Sequence, residues 1–396
     1  MRAALISLAG QPPRPDGAGA LAIGGKTLAH RQLEFALAAD CERIIAVGNG
    51  ASPDAIAFRH LAEGAGARFQ IVPHGHGVLG AIGAADELVV IAPGLLAEAA
   101  EGLAAIRKSA VVVTLPAGPG TAGGFERIDL ERAWAGVLVV PGALVEKLSA
   151  LPPDAEPASA LLRIALQGRV SEVRLPEARL AEGAWTMFQE NAELRWAESA
   201  WLKRHLPTEP PSAPSRWLAR AVLGSQGSRL LAASRSLLAA AGGAIALLAG
   251  GVVASLWGLD AIGFALVAIG AAFGELARGL ATLRSAPFTT GRQRGFLPVL
   301  PWLVDGAMGA CAVLAIDGSW LHGLFPPLVL LGMLHLRPAA ERLTFADFAR
   351  DRAVLAVLFA IAAGFGVAEP AIMAVALALM ALNMAENGGM ARLTQT

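Results

Sequence analysis

The chain has 396 residues, 55% of them hydrophobic, with 32 basic and 32 acidic side chains and a mean hydropathy of +0.54. It is too apolar for an ordinary soluble domain and too charged to lie wholly in lipid. A formal net charge of zero gives no reason to expect nucleic acid as a partner, and Cys41 and Cys311 are too few and too far apart for a disulfide framework or a zinc cage.

The first half is expected to be α/β. MRAALISLAG reads as a buried strand that runs straight into polar, Pro-rich sequence, which is not a signal-peptide pattern. Leu28 to Ala38 follows as a helix with Leu33 and Leu37 on one face. ERIIAVGN, ARFQIVP, DELVVIAP, SAVVVTLP and AGVLVVPG then recur as short β-branched runs ending in Gly, Pro or Asn, with helical patterns such as ALVEKLSAL between them. Short buried strands alternating with helices predict a Rossmann-like, mostly parallel sheet. Ligands in such sheets bind beyond the carboxyl ends of the strands, where GQPPRPDGAG and PHGHG lie. His74 and His76 alternate, so on a strand they would share a face and could offer two imidazoles to a metal. The other reading is a polar turn between strand and helix.

A boundary falls at PTEPPSAPS, 207–215, whose four prolines cannot propagate a helix or a central strand. The expected organisation is a soluble domain at 1–206, a Pro-rich linker at 207–215 and a membrane domain at 216–396. From Ser215 onward there are 13 Arg, no Lys and 9 acids, a net of +4, against −4 for the residues before it. Ser236 to Trp257 has no charge over 22 residues, enough to cross a hydrocarbon core of roughly 30 Å. Further spans are expected near 259–280, 296–316, 319–336, 353–368 and 370–386, six in all. Arginines precede span one (Arg216, Arg220, Arg229, Arg235) and lie between spans two and three (Arg284, Arg292, Arg294) and four and five (Arg337, Arg342, Arg350, Arg352), while the turns near Gly258, Gly318 and Glu369 carry none. This alternation places the N-terminal domain and both termini in the cytoplasm, with the chain in the cytoplasmic (inner) membrane. Residues 215–234 set Trp217 and Leu218 beside Arg216 and Arg220, as an interfacial amphipathic helix or as an extension of span one.

Two resemblances bear on function. LAIGGKTLAHRQLEFALAADCERIIAVG, 21–48, resembles the segment that follows the Gly-rich loop of sugar-phosphate nucleotidyltransferases, and the likeness implies nucleotide or phosphate contacts for Gly25 and Lys26. That chemistry also needs a phosphate lysine and two aspartates for Mg²⁺. The loop instead carries prolines, with Ala18 or Gly19 at the lysine position, Ala92, Pro93 and Gly94 close the strand where an aspartate belongs, and Met187 and Gln189 stand at a later acidic pair. Arg14 and Asp16 remain as surface residues or phosphate and metal contacts.

FGELAR, 273–278, in turn resembles the first half of the CDP-alcohol phosphotransferase signature, Asp-Gly-x-x-Ala-Arg, at the expected cytoplasmic end of span two. A nucleotidyltransferase-like domain joined to such a membrane domain is similar to the bifunctional proteins of inositol-phosphate metabolism. In that family, aspartates at four-residue spacing on two helices hold Mg²⁺ or Mn²⁺ against a pyrophosphate. Here Phe273 replaces the first Asp, Pro287, Gly291 and Gly295 fall at the later positions, and Asp305 in span three is flanked at four residues by Pro301 and Gly309. Glu275 and Arg278 are either a snorkelling pair at a span end or, with Gly274, a retained head-group site in which Arg278 binds phosphate. Asp305 is a catalytic candidate or a packed structural acid, because a carboxylate inside a span usually faces a cavity or a partner. Asp260 and Asp317 are expected to be solvated, and His322 and His335 to be lone interfacial histidines.

The expected function is that of a membrane protein degenerate in both catalytic motifs, a pseudoenzyme that binds lipid, CDP-alcohol or nucleotide in phospholipid or inositol-lipid head-group synthesis. An active phosphotransferase with a rearranged Mg²⁺ or Mn²⁺ site at Asp305 and Glu275 is the alternative, and a lipid transporter is a third. Gly/Ala-rich spans favour a homodimer, and an active homologue is a further expected partner.

Overall fold

Arg2–Ser7 (β1) is the strand on which the first unit is built, and Ala3, Ala4, Leu5 and Ile6 are each at most 1% exposed. Successive side chains of a strand face opposite ways, so burial at every position requires cover on both faces of the sheet. The five β-branched runs supply its neighbours: Arg43–Val47 (β2), Arg68–Val72 (β3), Glu87–Ile91 (β4), Val111–Pro116 (β5) and Arg132–Pro141 (β6). A seventh strand, Ser171–Arg174 (β7), has all four residues exposed, and this polar edge strand carries no hydrophobic signal in the sequence. The order is β7-β5-β6-β4-β1-β2-β3, parallel throughout except for β6, which runs antiparallel to both neighbours. Strand order reverses at β1, between β2 and β4, which makes its carboxyl end a topological switch point.

Leu28–Ala38 (α1) covers that end of the sheet. Thr27 caps it, its hydroxyl accepting the His30 amide at 3.2 Å, and Leu28, Leu33, Phe35 and Ala36 are buried. Ahead of the helix, Gly24 and Gly25 have φ of +59° and +75° and turn the chain between the paired segments Ala22–Ile23 and Lys26–Thr27. Positive φ at two adjacent turn residues is the hairpin geometry that glycine supplies without strain.

The structure, a computed structural model, describes residues 1–8, 11, 21–107, 110–152, 155–189, 194–206, 208–233, 235–285, 297–336 and 344–391. They divide into two compact units, Met1–Trp201 and Leu202–Thr396. Leu194–His205 (α2) crosses the division. The second unit is helical: Pro214–Ala232 (α3), Ser236–Leu256 (α4), Asp260–Ser285 (α5), Leu300–Leu314 (α6), Trp320–His335 (α7), Thr344–Ala349 (α8), Arg352–Gly364 (α9) and Ala368–Ala391 (α10).

Among the described residues four helical segments are long and apolar enough to cross a membrane: Ser236–Leu256, Asp260–Ser285, Leu297–Leu314 and Ala368–Glu386. The expected count was six. The segments read as spans four and five form apolar helices of only 10–17 residues, Leu321–His335 and Arg352–Gly364, and at 1.5 Å per residue the second reaches about 20 Å. α5 is the central helix, with Phe264, Val267, Gly270, Ala271, Gly274 and Ala277 buried along it. α4 lies close against it because both carry glycine where they meet: a Cβ on Gly251 would stand 2.8 Å from the Gly263 carbonyl oxygen. Phe264 and Phe359 meet edge to face at 5.6 Å and tie α9 into the same core.

Candidate functional site

At the arginine-rich end of the helical unit, α3, α5, α6, α7, α8 and α9 surround a cavity of about 490 Å³. Its α5 wall is the FGELAR segment. Gly274 is buried and lets the first residue of α6 approach, since a Cβ there would lie 3.3 Å from Leu300 Cδ2. Glu275 and Arg278, one turn apart, form an ion pair that lines the cavity. Phe273, at the first missing acid, is 39% exposed and does not line it.

Asp305 is in the second turn of α6 with its side chain 4% exposed, and it is fully engaged. Arg352 donates Nε to Oδ1 at 2.9 Å and Nη2 to Oδ2 at 3.1 Å, a side-on, two-point pair. His335 Nε2 reaches the same Oδ2 at 3.0 Å, and the Trp302 ring stacks on the imidazole at 4.4 Å and 13°. The lone span-end histidine of the sequence is therefore a partner of the one acid in α6. Asp305, read from the sequence as a catalytic candidate or a packed structural acid, is met by His335 and Arg352, 30 and 47 residues later.

The remaining wall is equally specific. Asp351 caps α9: its Oδ1 accepts the Ala353 and Val354 amides at 3.0 and 3.3 Å, while Oδ2 accepts the Ser215 amide of α3 at 2.8 Å. The cap sets Arg352 as the first helical residue, at the cavity wall. Arg350 donates to Glu386 at 2.6 Å and to Asn383 Oδ1 at 2.7 Å, and Asn383 in turn donates to the Met333 carbonyl at 3.0 Å, all against buried partners. Arg216 is held more loosely, 3.4 Å from Glu209 and 3.5 Å from Asp347, with 44% of its side chain exposed. Arg278 is as exposed, at 41%, though paired with Glu275.

These residues do not fit a two-metal centre. Such a centre needs carboxylates from two helices at matched spacing, and α5 offers Phe273 at the first position and Glu275 already paired with Arg278, while α6 offers Asp305, held by Arg352 and His335, with Gly309 four residues on. Among the described residues no three His, Cys, Asp or Glu side chains are grouped to hold a metal ion. What the cavity can do is bind an anion: guanidinium groups from four arginines line it, two of them substantially open.

In the first unit, Gly25 forms the hairpin turn and Lys26 pairs with Glu34 of α1. The switch-point edge is occupied by two glutamines that sequence reasoning missed. Buried Gln32 donates to the Ala92 and Leu95 carbonyls at 3.0 Å each, and Gln11 donates to Ser7 O and Gln32 Oε1 at 2.8 Å while accepting the Gly94 amide at 3.2 Å. Amide-to-backbone bonds thus close the strand end where the likeness called for an aspartate. PHGHG is a 3₁₀ turn, Gly75–Val78, rather than a strand, and His76 Nε2 bonds the Leu151 carbonyl at 2.8 Å. At the opposite end of the helical unit His322 meets Glu369 at 2.8 Å. Arg14, Asp16, Ala18, Gly19, Pro287, Gly291, Arg292, Arg294, Gly295, Arg337 and Arg342 lie outside the described residues.

No protein-family model matches the chain, and no curated protein matches it. Among solved structures the chain is similar to the UDP-glucose pyrophosphorylase from Acinetobacter baumanii, at 12% identity over 52% of this chain and 94% of that one, with a TM-score of 0.38.

Proposed function

We propose that this chain is a non-catalytic membrane subunit that holds the phosphate of a lipid head group in the arginine-lined cavity, with a mostly parallel α/β unit carried on the cytoplasmic side. One observation carries the reading: the lone acid of α6 is bound on both oxygens by Arg352 and His335 at the wall of a polar cavity. An acid so occupied is a structural counter-ion and not a free metal ligand or base, whereas the open guanidiniums of Arg216 and Arg278 suit phosphate oxygens. The FGELAR likeness agrees with a head-group role for this end of α5. The role belongs to phospholipid or inositol-lipid head-group synthesis, beside an active homologue or in a homodimer.

The test is CMP release by the purified full-length chain from CDP-diacylglycerol with candidate alcohols, with and without Mg²⁺ or Mn²⁺, together with mass spectrometry of co-purifying lipid. No metal-dependent CMP release and a retained phospholipid are expected. Metal-dependent release that disappears in Asp305→Ala would overturn the reading.

A further inference from the structure

The phosphotransferase likeness implies a divalent ion at the carboxylate of α6, and the residues present do not fit one. We infer that the guanidinium of Arg352 is the resident cation of the cavity: it occupies the position at Asp305 that an ion would need and offers its remaining N–H groups to a phosphate oxygen. The inference rests on the head-group reading for the identity of the ligand, and on geometry alone for the cation.

A carboxylate has about four lone-pair sites, and three donors already fill Asp305, two from Arg352 and one from His335. A Mg²⁺ ion binding at roughly 2.0–2.1 Å would have to reach the one remaining site, on a carboxylate only 4% exposed, or displace one of the three. It would also bring two positive charges beside a guanidinium that does not deprotonate, in a setting where like charges repel more strongly than in water. Exposure runs the same way: the Asp305 side chain is 4% exposed and the Arg352 side chain 26%, so the acid sits behind the guanidinium as seen from the cavity. Arg352 has five N–H groups and gives two to Asp305, which leaves donors at the wall that it lines. Two supports fix it in place. Asp351 caps the helix that Arg352 begins, and the Trp302 ring stacked on His335 aligns the third donor. A bound cation can be removed by a chelator, and a covalent one cannot.

Dihexanoyl phosphatidic acid is the ligand probe and Mn²⁺, read by electron paramagnetic resonance, the cation probe, both on the full-length protein in detergent. The phosphatidic acid affinity is expected to be the same in excess EDTA and in excess Mg²⁺, with no stoichiometric Mn²⁺ bound. Arg352→Gln should weaken phosphatidic acid by about tenfold to a hundredfold, the range for charge-assisted hydrogen bonds. Because that variant leaves Asp305 with His335 as its remaining partner in place of three contacts, Asp305→Asn with Arg352→Gln serves as the folded comparison: it should melt close to the wild type and still bind weakly. Recovery of binding in the double variant would reduce Arg352 to a structural role and overturn the inference. So would one Mn²⁺ per chain that is lost in Asp305→Asn, or affinity that collapses in EDTA. Failure of phosphatidic acid to bind with or without Mg²⁺ would overturn the head-group reading, and the Mn²⁺ signal would then judge the cation assignment separately.

Discussion

Asp305 shows how a single side chain changes meaning once its partners are known. An acid in an apolar run stands out in the sequence, and so do Glu275 and Arg278, because each violates the composition around it. Arg352 and His335 do not stand out as its partners, since nothing local links residues so far apart along the chain. Asp305→Ala leaves the half-buried Arg352 guanidinium without its counter-ion and should cost about 3 kcal/mol or less, whereas Asp305→Leu combined with Arg352→Leu should cost less than the sum of the single changes. Thermal unfolding of the four proteins in one detergent measures both. In the first unit, burial lowers the His30 imidazole to about 4, with Lys26 and Arg31 adding to the effect. Below pH 6.5 the unfolded chain takes up a proton that the folded chain refuses, so His30's contribution is complete above pH 6.5 and is lost as the pH falls toward 4. At pH 5 the loss should be about 2 kcal/mol, and His30→Gln should remove it from the difference in denaturant midpoints between pH 7.5 and pH 5, taken on the first unfolding transition.

Elements were legible where one face or both faces carried a continuous apolar signal. The five β-branched runs each form a strand, and Leu28–Ala38 is the helix that its pattern predicts. Direction was not legible: β6 carries a β-branched apolar run like those of the other strands, yet it pairs antiparallel with both neighbours. Span length was not legible for a related reason. Apolar composition in Leu321–His335 and Arg352–Gly364 reflects packing within the unit as much as contact with lipid, and Ala356 and Phe359 in the second of these are completely buried. The contact between α4 and α5 gives the sharpest test at this scale. Gly251→Val puts a side chain 2.8 Å from the Gly263 carbonyl oxygen and 3.0 Å from Val267 Cγ2 and should destabilise by about 1–3 kcal/mol. Gly242→Val on the same helix, where a Cβ meets nothing within 4 Å, should be tolerated. Equal melting temperatures for the two variants would contradict the close approach.

The helical unit as a whole has one arginine-rich end and one without basic side chains in its turns, and α5 links them over about 39 Å. The two native cysteines are buried, and burial raises the Cys41 thiol to about 12, so an introduced cysteine can be labelled against a low background. Gly258→Cys, at the turn before α5, and Ser285→Cys, at its end, should react with an impermeant maleimide from opposite sides of sealed vesicles of known orientation, Ser285→Cys from the cytoplasmic side. Labelling of both from one side would refute the span. Asp351 adds a property of the unit that neither its cap nor its cavity position expresses alone. One of its oxygens fastens the start of α9 and the other the start of α3, so the chain entering the membrane unit at Ser215 is anchored to the same carboxylate that positions Arg352. Displacing the start of α3 would therefore disturb the same carboxylate that caps the helix Arg352 begins.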